Sequence, residues 1–226
     1  MNQMNIDYEN RLSQEGSVRE ELAAYFLSVP PLSQQSEEQK VRTRQELRRL
    51  AEVEADAVLQ FGGFARPLSE GNVTGLLTSL LEAARTVANT AGYPLIISIP
   101  SELEAPFYAS FEPRLLQMAV VGLIRATCLS NHRKPVSVSL SGGIHTLTIT
   151  VTGDAAPTER QALEIAREVA RLHQGGLALS EGTVGFSIRT TLPHTGGHFA
   201  APGISELLDY LLSSVQVGLY PFLYNE

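Results

Sequence analysis

Val18, Leu22, Tyr25, Phe26 and Val29 recur three and four residues apart, the spacing that gathers apolar side chains on one face of a helix. Pro30-Pro31 ends that helix, because proline has no amide hydrogen to donate and restricts the residue before it. After the polar link PLSQQSEEQ, a second helix is expected from about Ser36 to Phe64, with Leu47, Leu50, Ala51, Val58 and Phe61 on its apolar side. Two long helices joined by a short link make an antiparallel hairpin, and a second copy of the chain would complete a four-helix bundle around their broad stripes. Glu15, Gly16 and Glu54 interrupt those stripes.

A third amphipathic helix begins near Asn72, a suitable N-cap, and carries Val73, Leu76, Leu77, Leu80, Ala84 and Val87. The pattern then changes. Leu95 to Ile99 reads as a strand, and Pro113 to Leu129 as a helix apolar on nearly every side. VSVSL and IHTLTITV alternate around a glycine turn, as two antiparallel strands do. Thr158 opens a helix with a capping box completed by Gln161, and Gly175-Gly176 stops it. LALS and VGFSIRTTL follow as two last strands. Strands interrupted by helices, with antiparallel hairpins, predict an α+β sandwich: a mixed sheet covered by helices on one face. Residues 194–226 add a Gly-rich joint and one amphipathic helix, ISELLDYLLSSV, with Ile204, Leu207, Leu208, Leu211, Leu212 and Val215 on one face. That face can pack within the chain, fill a site, line a dimer or dock to a partner. The division expected is a hairpin over 1–68, a sandwich over 69–193 and an extension over 194–226.

Hydrophobic residues at 43% and charged residues at 18% place this 226-residue chain among ordinary folded proteins. A formal charge of -7 argues against a nucleic-acid binder, which needs a basic surface. The apolar runs are short and the N-terminus lacks signal-peptide character, so a cytoplasmic protein without a membrane span is expected. Cys128 has no partner cysteine and reads as a buried small hydrophobe. Histidines at 132, 145, 173, 194 and 198 show no metal-ligand spacing, and the pair His194 and His198 is too weak to assign. His173, close to a helix C-terminus, is expected to make a helix-dipole contact rather than act as a base.

The runs FEPRLLQMAVVGLIRATCLS, LTITVTGDAAP and ALEIAREVARLHQGGLALSEGTVGFSIRTTLP resemble the catalytic ATPase domain of sensor histidine kinases and their GHKL relatives. The hairpin upstream resembles their dimerisation and phosphoacceptor hairpin. The resemblance covers roughly residues 9–193 and implies a homodimer that uses ATP with magnesium. It also implies where the chemistry should lie. Family members carry a magnesium-binding asparagine in the pattern N-L-L-x-N-A; here V-G-L-I-R-A places Val121 and Arg125 at the two asparagine positions. Arginine has no lone pair to offer a metal. The family's adenine-binding D-x-G-x-G turn corresponds to Gly153, Ala155 and Pro157, with Asp154 one residue late. PTERQ leaves no glycine-rich lid for phosphates.

The phosphoacceptor histidine corresponds to Gln14 in RLSQEGS, and the first histidine of the chain is His132. A carboxamide is not a nucleophile toward a phosphoryl group. Gln14 and Glu15 either keep a docking surface for a receiver domain or form a solvated face. Arg125 either fills the vacated site with positive charge or is an exposed helix arginine. The expectation is a catalytically inactive, dimeric interaction module in two-component-type signalling, with no catalytic residue, metal or cofactor and with a receiver domain or a kinase as partner. The alternative is a diverged kinase or phosphotransferase that still holds a nucleotide through Asp154, and a pocket sensing a small ligand is a weaker third.

Overall fold

The computed structural model describes residues 3–30, 34–61, 68–99, 106–191, 199–210 and 212–223, the side chains of residues 3–15 and 61 excepted. Two helices, α1 (Gln3–Ser28) and α2 (Glu37–Phe61), form the expected hairpin. Val18, Leu22 and Phe26 of α1 meet Leu47 and Leu50 of α2 in a small core of their own. A short strand β1 (Ser69–Asn72) leads into α3 (Val73–Thr90), and Asn72 caps that helix by accepting the Gly75 amide hydrogen at 2.9 Å.

Strand β2 (Leu95–Ser98) and strand β3 (Tyr108–Phe111) precede the buried helix α4 (Pro113–Ser130). The hairpin β4 (Val136–Gly142) and β5 (Thr146–Thr152), helix α5 (Arg160–Leu172) and strands β6 (Gly176–Ser180) and β7 (Thr183–Arg189) complete the sheet. Its order is β2-β4-β5-β7-β6, with β2 parallel to β4 and the other pairs antiparallel. Alternate residues of β4, β5 and β7, such as Val138, Ile149 and Phe186, are fully buried under α3, α4 and α5. The chain is thus α+β with a mixed sheet covered on one face, as the alternating pattern predicts. A separate two-stranded antiparallel ribbon of β1 and β3 was not anticipated, because SEGN and YASF are too short to show a period.

The tail departs from expectation. Instead of one amphipathic helix it makes three short ones, α6 (Ile204–Asp209), α7 (Ser214–Gly218) and α8 (Tyr220–Leu223). Tyr210 is extended, and Ser213 starts a new helix by accepting the Gln216 amide hydrogen. The break lets the tail bury residues in two directions. Leu212 and Val217 join the hairpin core, whereas Leu207, Val215, Leu219 and Phe222 join the main core, Phe222 stacking on Tyr93 at 4.3 Å. Ile204, expected on the buried face, is 42% exposed, and Leu211 lies outside the described residues. No described helix is long and apolar enough to cross a membrane.

One polar cluster ties these pieces together. Glu54 of α2 is 4% exposed and receives a bidentate bond from Arg114 of α4, at 2.8 and 3.0 Å. The remaining Arg114 nitrogen donates to the Leu212 carbonyl at 3.0 Å and to Ser214 Oγ at 2.8 Å. The glutamate that interrupts the α2 stripe is therefore a partner and not a flaw. Arg19 of α1 also lies 3.2 Å from Glu54 but is 36% exposed, so removing Arg114 leaves the buried carboxylate with one half-exposed cation. Arg114→Met should therefore lower unfolding free energy in urea titrations by less than the ~3–5 kcal/mol that a wholly unpaired buried charge costs. The double change Arg114→Met with Glu54→Leu should recover most of that loss, since an apolar pair of similar volume fills the site and Arg19 can turn to water.

Candidate functional site

The residues singled out by the kinase-like motifs converge where α4, the turn after β5, the start of α5 and the tail meet. Each is engaged within the chain. Val121 is fully buried, and the Gly218 backbone lies so close that a Cβ there would come within 2.4 Å of Val121 Cγ1. Arg125, 16% exposed, pairs its guanidinium with both carboxylate oxygens of Glu159 and donates through Nη1 to the Gly218 carbonyl at 3.2 Å. It is neither an open cation nor a solvated surface residue.

That pairing explains a miss at the start of α5. Thr158 and Gln161 were expected to make a capping box. The helix starts instead at Arg160 with Glu159 as N-cap, and that side chain makes no capping bond. Its carboxylate has turned to Arg125, while the Thr158 amide hydrogen goes to Ser130 Oγ at 3.1 Å.

The turn after β5 is held by a residue that the motif reading passed over. Asn131, 2% exposed at the C-terminal end of α4, accepts the Ala155 amide hydrogen at 2.9 Å and donates to the Ala155 carbonyl at 3.0 Å. An added Cβ on Gly153 would come within 2.3 Å of Asn131 Nδ2. The side chain of Asn131 thus fills the space that an aspartate at 153 would need. Asp154 points to solvent and pairs with Lys134 at 2.9 Å, both side chains being more than half exposed. Ala155 is exposed and Pro157 is buried. Asn131 ends α4 just before two residues of positive φ, His132 and Arg133, and no motif spacing marks it in the sequence. Gln14 lies on α1, but its side chain and that of Glu15 lie outside the described residues, as do His194 and His198.

Between α2, α4, α5 and the tail lies a cavity of about 500 Å³. Its walls mix apolar residues, among them Ala51, Met118, Gly122 and Ala162, with charged groups that include the pairs Glu54 with Arg114 and Arg125 with Glu159. Helices α4 and α5 approach closely at Gly122, where an added Cβ would lie 3.8 Å from the Ala162 Cβ. Among the described residues no group of three or more His, Cys, Asp or Glu side chains is placed to hold a metal ion. Cys128 is buried, and burial pushes its thiol up to about 12.

His173 differs from the expected helix-dipole contact, which needs an imidazolium. Its ring is 3% exposed, with Nδ1 2.6 Å from the Val169 carbonyl and Nε2 accepting the Glu112 amide hydrogen at 3.0 Å. Both nitrogens are satisfied only in the neutral tautomer protonated at Nδ1. Burial lowers its pKa from the usual 6.5, against a smaller opposing effect of the Val169 carbonyl. It is a strut between α5 and α4, not a base.

No protein-family model matches the chain, and no curated protein matches it. Solved structures do. The histidine kinase AdeS of Acinetobacter baumannii is similar with a TM-score of 0.53 at 13% identity, over 83% of this chain and 98% of that one. A histidine kinase from Burkholderia phymatum has a TM-score of 0.46 at 15% identity, over 81% and 97% of the two chains. The ATP-binding domain of PrrB from Mycobacterium tuberculosis has 0.44 at 19% identity, over 56% and 100%. This chain has the histidine-kinase fold.

Two measurements probe the local geometry. Gly153→Ala should cost about 1–3 kcal/mol of stability through its clash with Asn131, and the penalty should largely vanish in an Asn131→Ala background, as a double-mutant cycle reads it. For His173 the unfolded state binds more protons below about pH 6.5, so its contribution to stability is present above that pH and is lost as pH falls. The urea midpoint should therefore drop between about pH 7 and pH 5, and drop less in His173→Gln.

Proposed function

We propose that this chain is a catalytically inactive histidine-kinase-like protein, a dimeric interaction module in two-component-type signalling that binds a receiver domain or a kinase without holding ATP or passing phosphate. The observation that carries this reading is the fate of Arg125. At the position where the fold's kinases place a magnesium ligand stands a guanidinium already bonded to Glu159 and to the Gly218 carbonyl. An ion that needs oxygen donors meets five N–H groups there. Asn131 in the space next to Gly153 and Val121 beneath Gly218 argue the same way.

On this reading residues 1–68 dimerise, 69–193 keep the outline of the ATPase domain and 194–226 brace the two. Exposed Leu27 (89%) and Val41 (51%), near the link between α1 and α2, support a contact with a second copy. The competing reading is a diverged kinase or phosphotransferase with ATP and magnesium. The cavity beside Arg125 favours it, since about 500 Å³ falls in the usual range for ligand sites.

Titration calorimetry with ATP and magnesium separates the two. The expected result is no binding tighter than about 1 mM; metal-dependent micromolar binding overturns the proposal. Incubation with labelled ATP should leave the protein unlabelled, whereas label that disappears in Asp154→Ala would establish the alternative.

A further inference from the structure

The uncovered face of the five-stranded sheet has an unusual composition. The residues alternating with the buried ones are Ser137, Ser139 and Ser141 on β4, and Thr146, Thr148, Thr150 and Thr152 on β5. Their register partners on β7 are Thr183, Gly185 and Ser187, and beyond these on β6 come Ser180, Ala178 and Gly176. A surface of ordinary composition is roughly a quarter to a third charged. Here the one charge is Arg189 at a corner, and its guanidinium donates to Gln174 at 2.8 Å. Among the described residues nothing packs over this face, and its rim carries apolar side chains open to solvent: Ile96 (56%) and Ile144 (92%).

We propose that this hydroxyl-lined face is a self-association surface, which packs against the same face of a second copy about a two-fold axis. Two properties select a second copy over another partner. In a two-fold contact each residue near the axis meets its own copy, so a charge there faces a like charge, whereas a hydroxyl both donates and accepts and can pair with itself. The chain also carries a net charge of -7, so two copies repel least where the surface is uncharged. A hetero-partner, by contrast, is ordinarily steered and selected by charge of opposite sign.

Five strands about 4.8 Å apart, with up to seven residues rising about 3.3 Å each, make the face roughly 24 by 20 Å. That area is at the small end of protein contacts, so the association is weak and reversible. It is also separate from the hairpin, so both contacts can form in one assembly.

Sedimentation equilibrium on the full chain tests this, with Thr150, at the centre of the face, changed to arginine and Leu27 on the hairpin changed to glutamate. In Leu27→Glu, which weakens the hairpin contact, the expected result is residual concentration-dependent association that adding Thr150→Arg weakens at least tenfold. A single unchanging mass of Leu27→Glu up to about 1 mM overturns the proposal; so does residual association that Thr150→Arg leaves unchanged. Because Cys128 is buried, an introduced thiol is the reactive one. Oxidation of Thr150→Cys should give a disulfide-linked dimer and oxidation of Thr86→Cys, on the exposed side of α3, should not. Equal cross-linking of the two, or none at position 150, also overturns it.

Discussion

A carboxylate almost out of reach of water needs a cation, and in this chain that need fixes how three distant segments meet. Glu54 on α2 finds its cation in Arg114 on α4, and the same guanidinium reaches Leu212 and Ser214 in the tail. A continuous helix through the tail would spend the Leu212 carbonyl on the amide of Gln216. Because Ser213 caps a new helix and takes that amide, the carbonyl is free to accept from Arg114. The helix break and the buried pair are therefore one arrangement seen from two sides. Ser214 extends it by donating to Gln117, a buried amide on the next turn of α4.

Once anchored there, the tail decides what the neighbouring site can be. Its backbone at Gly218 comes down on Val121 and offers Arg125 a carbonyl, and Glu159 supplies the countercharge. Charge is balanced without an ion from outside. A residue set suited to a bridging metal exposes lone pairs; this set exposes N–H groups and answers them internally. A fold's outline and the chemistry of a site on it are carried by different residues.

The sequence made the hairpin, the third helix and the sheet legible because each is written in a local period: three to four residues for the helix stripes, two for VSVSL and TLTITVT. The misses share a cause, which is a partner far away in sequence. Glu54 looked like a defect because Arg114 is 60 residues on. His173 looked like a helix-end cation because nothing nearby reveals that Glu112 would donate to it. The capping box at Thr158 lost to an ion pair with Arg125, and the tail's single stripe lost to two cores that pull in opposite directions. What surrounds the motif positions was not legible: Asn131 and Gly218 act through space and carry no spacing signal.

Polarity in this molecule is partitioned by element. The helices carry the charge on their outer faces, in pairs one turn apart such as Arg48 with Glu52 and Arg160 with Glu164. Each such pair contributes little, being open to water, and is screened by salt. The sheet's outer face carries hydroxyls instead, whose bonds salt screens little. Two ion pairs, the buried one at Glu54 and the part-buried one at Arg125, join elements distant in the chain. A contact made on the helices must therefore be steered by charge and weaken with ionic strength, while one made on the sheet must rest on shape and hydroxyl pairing. The difference follows from side-chain chemistry alone, and it gives one small chain two kinds of surface, one sensitive to salt and one much less so.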